Sequence, residues 1–159
     1  MKVFWFILLA STHLALANVT TGLEEFFNQN LHLLYQNKKA ALVTNHTGID
    51  PQFVTTISRF DEATYGPKII TLFFPEHGLT GANWAEEKLN DQHHCKRKIY
   101  SLHGKTRRPS EEMLKDLYLI IYDIQDIGSR TYTYISTLFY VMEEAKKHDL
   151  EVVVLDRPN

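Results

Sequence analysis

Along this chain, short apolar runs end repeatedly in polar turns, and stretches with helical spacing separate them. Ala40 to Thr44 ends in Asn45-His46-Thr47-Gly48, and Ile69 to Phe74 ends in Pro75-Glu76-His77-Gly78. Leu117 to Tyr122 ends in Asp123-Ile124-Gln125-Asp126-Ile127-Gly128-Ser129-Arg130, and Glu151 to Leu155, with Val152-Val153-Val154 at its centre, ends in Asp156-Arg157-Pro158-Asn159. Continuous rather than alternating apolar runs mark strands buried on both faces, which belong to parallel sheets covered by helices. Leu23, Phe26, Phe27, Leu31, Leu34 and Tyr35 recur at helical intervals behind a capping-box spacing from Thr21 to Glu24, predicting an amphipathic helix over 22–37. Pro51 is placed to open a second helix over 51–60 with Phe53, Val54 and Ile57 on one face. Lys98 to Leu102 reads as a short strand and Ser110 to Lys115 as a short helix. A longer helix over 131–148 carries Ile135, Leu138, Phe139 and Met142, and Gly81 to Arg97 reads as a loop with a helical turn. The alternation implies an α/β three-layer domain with a mainly parallel sheet and right-handed crossovers.

A length of 159 residues suits one such domain. The 17 basic and 19 acidic side chains nearly balance, and no like-charged block is longer than Lys96-Arg97-Lys98, so the electrostatic footprint of a nucleic-acid binder is missing. Cys95, the single cysteine, has no partner for a disulfide or a zinc knuckle. At the start, Met1-Lys2, the apolar run Val3 to Ala10 and the small residues of Ala15-Leu16-Ala17 have the layout of a secretory signal peptide. Residues 1–17 are therefore expected to be removed, leaving residues 18–159 as an exported domain, periplasmic or secreted. The run falls well short of the roughly 20 residues needed to span a bilayer, so no stable membrane anchor is expected.

In an open α/β sheet the carboxyl ends of the strands share one edge, and ligands sit in the crevice there. The four polar turns are thus expected to line one pocket. Glu76 emerges directly from an apolar run, and partial burial would raise its carboxyl pKa as a general acid requires; the competing reading is a turn cap or a partner for Arg130. Asp123 and Asp126 offer a second carboxylate, and Arg130 a planar fork for a substrate carboxylate or phosphate, although aspartates ahead of a helix also serve as N-caps. Asp156-Arg157 repeats the pairing of acid and base, with an exposed salt bridge as its plainer reading. Tyr132 lies near enough to the Asp123 turn to touch a ligand, while Tyr134 and Tyr140 read as packing residues. The chain has eight histidines but no His-x-x-x-His pair, so a metal site would have to be assembled from separate loops, for example His46, His77 and Asp123; no metal is expected. Glycine-rich phosphate cradles are absent, which disfavours nucleotide binding.

Taken together, Leu42 to Gly48, Leu72 to Gly78, Tyr100-Ser101-Leu102-His103-Gly104, Asp123 to Ile135 and Val154 to Asn159 resemble the exo-β-N-acetylmuramidase family of peptidoglycan glycoside hydrolases, long catalogued as a domain of unknown function. The resemblance covers nearly all of residues 18–159 in the right order. It implies a Rossmann-like N-terminal domain that holds the active site, followed by a smaller C-terminal domain enclosing the substrate. It further implies hydrolysis of terminal β-linked N-acetylmuramic acid from peptidoglycan-derived saccharides, without nucleotide or redox cofactor. Glu76 matches the glutamate of the family's Pro-Glu-His-Gly motif and is the implied catalytic acid. Physical reasoning adds Asp123 or Asp126 as partner carboxylate, with the 2-acetamido group as an alternative internal nucleophile. Arg130 or Arg157 would recognise the lactyl carboxylate, and Asn45 and His46 the sugar hydroxyls or acetamido group. His77, Tyr132 and Asp156 complete the expected binding residues.

Two departures bear on this expectation. His93-His94-Cys95-Lys96-Arg97-Lys98 replaces the glycine- and proline-containing approach usual before the Tyr-Ser-Leu strand, and His103 stands where a tyrosine is usual. The sequence ends at Asn159, directly after its last apolar run. That end suggests truncation before the C-terminal domain, which a second, separately encoded chain would have to supply. The rival expectation is a catalytically inactive sugar-binding module or the remnant of a truncated gene.

Overall fold

The computed structural model describes residues 19–75, 97–103 and 106–158. In chain order these form α1 (Gly22–Asn28), β1 (Lys39–Thr44), α2 (Thr56–Glu62), β2 (Lys68–Phe74), β3 (Lys98–Ser101), α3 (Glu111–Leu114), β4 (Leu119–Asp123), α4 (Tyr134–Lys147) and β5 (Glu151–Val154), with a 3-10 helix over Leu31–Tyr35. Among the described residues five strands make one sheet in the order β3-β2-β1-β4-β5, and every neighbouring pair is parallel. This is the α/β architecture that the apolar runs predict.

The side chains explain the layering. Ala40 and Leu42 of β1, with Leu119 and Ile121 of β4, pack against Leu23 and Phe26 of α1 and Ile57 and Phe60 of α2. Ala41, Val43, Ile120 and Tyr122 point to the other face, against Leu114 of α3 and Val141 and Ala145 of α4. Both central strands are buried from end to end beyond Lys39, which is why they read as unbroken apolar runs. One irregularity interrupts the alternation. Ala40 pairs with Ile69 and Ala41 with Thr71, so Ile70 is an extra residue in β2. This bulge lets Ile69 and Leu72, three apart, share the α1–α2 face.

Three expected elements differ in detail. The helix foreseen over 22–37 is broken: α1 ends at Asn28, Asn30 takes a left-handed conformation at φ 58°, and the chain resumes as the 3-10 helix. Its Leu34 is 72% exposed, so the helical spacing past Asn30 does not face the core. The capping box is present as foreseen, with the Thr21 hydroxyl accepting from the Glu24 N–H and the Glu24 carboxylate accepting from the Thr21 N–H. Pro51 does not open α2. Asp50 instead closes a tight turn, its Oδ1 accepting from the N–H of Gln52 at 2.8 Å and of Val54 at 2.9 Å. Phe53 is thrown outward at φ 61°, and α2 starts after Thr55, whose hydroxyl caps the Ser58 N–H. The expected Gly81–Arg97 loop lies outside the described residues except for Arg97, as do residues 1–17. No helix among the described residues is long and apolar enough to cross a membrane.

Strand order sets the place of the crevice. From β1 the chain moves outward through β2 to β3, then returns to β4 on the opposite side of β1. The reversal lies between β1 and β4, and their carboxyl ends therefore flank the position where open α/β sheets bind ligands.

Candidate functional site

The β1–β4 register ends with Thr44 paired to Asp123, so the two strands release their loops side by side. Beneath these loops lies a buried polar strut. Asp123 has no exposed surface; its Oδ1 accepts from Arg157 Nε at 2.5 Å and its Oδ2 from Arg157 Nη2 at 2.9 Å. The Thr56 hydroxyl also donates to Oδ2, and Arg157 Nη1 donates to the Ile49 carbonyl at 2.8 Å. The exits of β1, β4 and β5 and the start of α2 are thereby held together. Asp123 faces no open position, and Arg157, which also borders a neighbouring cavity, has its Nε, Nη1 and Nη2 committed to this strut. Of the two aspartates the sequence offers as a partner carboxylate, Asp126 is the one with access to that cavity. Asp156, expected to pair with Arg157, instead is exposed and turns its Oδ1 to the Arg157 N–H.

That cavity, about 380 Å³, opens beside the carboxyl ends of β4 and β5. Asp126, Arg130, Asp156 and Arg157 contribute its polar lining, and Ile135 and Leu138 of α4 part of its apolar wall. The Asp126 Oδ1 accepts from the Gly128 N–H at 2.8 Å, where φ is 68° and glycine suits the left-handed backbone. At the cavity's inner end the Tyr122 hydroxyl donates to the Tyr134 carbonyl at 2.9 Å. Burial, assisted by the Asp126 charge, pushes that phenol far above its ordinary pKa, so it stays a donor. Arg130 is an exposed part of this lining. Tyr132 is 44% exposed and meets the Tyr134 ring edge-on; it is not part of the lining.

Asn45 and His46 occupy the turn after β1. His46 is exposed, whereas Asn45 is buried. The Asn45 Oδ1 accepts from the Thr47 N–H at 2.9 Å and the Thr47 hydroxyl at 2.6 Å, and that hydroxyl accepts from the Gln125 N–H at 2.9 Å. The Gln125 amide in turn donates to the Pro158 carbonyl, tying the exit of β4 to that of β5. Thr47, Gln125 and Thr56 were not expected as site residues. A hydroxyl two positions after an asparagine is a recognisable turn pattern, but nothing local to Thr56 announces a partner 67 residues away. Glu76 and His77, the expected acid and its neighbour, lie outside the described residues. Among the described residues no three His, Cys, Asp or Glu side chains gather into a metal-binding group.

Comparison with known proteins bears directly on this edge. A family model described as exo-β-N-acetylmuramidase NamZ, N-terminal, matches residues 40–159, a stretch that holds all four polar turns. This chain belongs to the NamZ family. The peptidoglycan β-N-acetylmuramidase NamZ of Bacillus subtilis (strain 168) is 39% identical over 126 residues, which cover 78% of this chain and 30% of that protein. Two crystal structures of DUF1343 family proteins from Bacteroides fragilis NCTC 9343 share the NamZ-type fold seen here. One is 44% identical with a TM-score of 0.76, covering 87% of this chain and 34% of the other; the second is 27% identical with a TM-score of 0.68, covering 90% and 36%. The chain thus spans about a third of the length of these NamZ relatives.

Proposed function

We propose that this chain is the catalytic-type domain of a peptidoglycan glycoside hydrolase that releases terminal β-linked N-acetylmuramic acid from peptidoglycan fragments. The observation that carries the reading is its 39% identity to a peptidoglycan β-N-acetylmuramidase over 126 residues, beside a family match over residues 40–159 that takes in the turns at the carboxyl edge of the sheet. In the proposed reaction Glu76, two residues beyond β2, gives its proton to the glycosidic oxygen as the bond to the anomeric carbon breaks. Asp126, the accessible partner carboxylate, or the substrate's own 2-acetamido oxygen, meets the positive charge that develops at that carbon, and water then adds its hydroxyl there and returns a proton to Glu76. Arg130 at the cavity rim pairs with the lactyl carboxylate that distinguishes muramic acid from glucosamine. Asp123 and Arg157 act one step removed, by fixing the loops that carry these groups.

Turnover of a chromogenic β-N-acetylmuramide by the purified chain, beside a Glu76→Gln variant, tests the proposal. The parent should release the chromophore and the variant should be slower by roughly 10²- to 10⁴-fold, the usual contribution of a general acid. No turnover by the parent removes the hydrolase reading from this chain, and equal turnover by both removes Glu76 from its role. Export belongs to the same proposal: the mature product should begin at Asn18, which intact-mass measurement of secreted material checks directly.

A further inference from the structure

Asn45 carries an unmet hydrogen-bonding group. Its Nδ2 is buried and has no hydrogen-bond partner among the described residues, and the residue as a whole is only 3% exposed. Buried amide N–H groups are nearly always paired, and an exception calls for a reason. A flipped amide is not the reason. The backbone N–H of Thr47 can only donate, so the Asn45 atom 2.9 Å from it must be the oxygen. The Thr47 hydroxyl reinforces this polarity. It accepts from the Gln125 N–H, another obligate donor, and so turns its own proton to the Asn45 Oδ1. The sequence Gln125 N–H to Thr47 O–H to Asn45 Oδ1 leaves the side chain one orientation, with NH₂ directed away from all three. These residues sit on the loops after β1 and β4, which flank the reversal of strand order.

We propose that Asn45 is a dedicated hydrogen-bond donor to an acceptor-only oxygen of the bound sugar, and that Thr47 is the positioning residue that fixes its polarity. The acetamido carbonyl and the lactyl carboxylate are the two strong acceptor-only groups on N-acetylmuramic acid, its ring and ether oxygens being weaker acceptors. This assignment rests on the muramidase reading. It goes further in giving Asn45 a direction, donor and never acceptor, and in giving Thr47 and the Gln125 backbone a part in recognition.

The test is the Asn45 side-chain amide signal in a ¹H–¹⁵N spectrum, assigned by its disappearance in Asn45→Asp. Titration with N-acetylmuramic acid should move this signal saturably in the parent and in Thr47→Ser, which keeps the hydroxyl. In Thr47→Val the shift should need roughly 2- to 10-fold more ligand, because only the backbone N–H of residue 47 is left to hold the polarity of the amide. Muramic acid, which lacks the acetyl group, abolishes the shift if the acceptor is the carbonyl; N-acetylglucosamine, which lacks the lactyl group, abolishes it if the acceptor is the carboxylate. Asn45→Asp keeps both acceptor contacts to Thr47 and removes the donor, and should lower kcat/KM on the chromogenic muramide by roughly 10- to 100-fold. If that variant does not fold, the Thr47 pair decides alone. The assignment is overturned if other signals report ligand binding while that of Asn45 stays still, or if Thr47→Val responds as the parent does. Absence of both turnover and binding in the parent overturns the muramidase reading instead, and this assignment with it.

Discussion

Asp123 illustrates how burial redirects a residue that composition alone would give to catalysis. A carboxylate at a strand end next to an arginine motif reads as a reactive group, yet both of its oxygens are taken by Arg157 and Thr56 inside the protein. Taking one partner from a buried ion pair leaves an uncompensated charge, which costs about 3–5 kcal/mol. Arg157→Leu should therefore lower the unfolding free energy by about that amount in urea titrations, while a double Asp123→Leu, Arg157→Leu variant should recover much of the loss. A double variant as unstable as the single one would show that the pair does more than cancel its own desolvation. Asp50 makes a prediction of opposite visibility. Burial on its own would raise the Asp50 carboxyl, but the Val54 N–H, the Arg59 guanidinium and the Gln52 N–H outweigh it and hold the pKa below the ordinary aspartate value. A depressed folded-state pKa means that the stabilisation is complete above the unfolded value of about 3.9 and is lost as the pH falls through the folded one. Thermal melts of Asp50→Asn should therefore lie below those of the parent at pH 7 and converge with them in the acid range. Parallel melting curves across that range would dissociate Asp50 from the acid sensitivity.

At the scale of elements, what could be read from the sequence was what depends on neighbours in sequence. The strand runs, the capping box at Thr21 and the existence of α2 and α4 follow from local spacing and local hydrogen bonds. The misread boundaries come from residues whose conformation is set from outside. Asn30 adopts φ 58° and ends the helical spacing, and Asp50 draws the Pro51 segment into a turn by accepting two backbone N–H groups. The bulge at Ile70 has no local signature at all, since it exists to match two faces of a sheet not yet paired. Glycine 22 belongs to the same class. Its N–H donates to the Asp156 carbonyl at 2.6 Å, and a Cβ there would stand 2.3 Å from the Asp156 backbone nitrogen. The start of α1 is thus docked against the exit of β5, and only the smallest residue allows the approach. Gly22→Ala should destabilise the fold by about 1–3 kcal/mol, the usual range for overpacking, although alanine is the better helix former. A gain in melting temperature would mean that α1 can move off β5 freely.

For the whole molecule, the candidate site combines a rigid floor with more weakly held sides, and this arrangement follows from strand order. β1 and β4 occupy the middle of the sheet, are covered on both faces, and release the Asn45 and Asp123 loops. β3 and β5 are edge strands with partly exposed side chains, and β5 borders the cavity that holds Asp126 and Arg130. That the turns after β1, β4 and β5 lie at one edge was legible because parallel sheets bring carboxyl ends together; that the cavity is lined by the turns after β4 and β5 and not by Asn45–Gly48 was not, nor was the hydrogen-bond pattern, because Thr56–Asp123 and Arg157–Ile49 join segments distant in sequence. Local opening free energy rises with buried contact and falls at edges. Native-state hydrogen exchange should therefore be slowest for Leu42, Val43, Ile120 and Ile121, which have no exposed surface, and faster in β3 and β5. Adding N-acetylmuramic acid should slow exchange most at the N–H groups of Thr47 and Gln125, whose hydrogen bonds meet between the central strands, with little change at the already protected positions. Slowing confined to β3 would place the sugar on the far side of β2 and move the binding site away from the reversal of strand order.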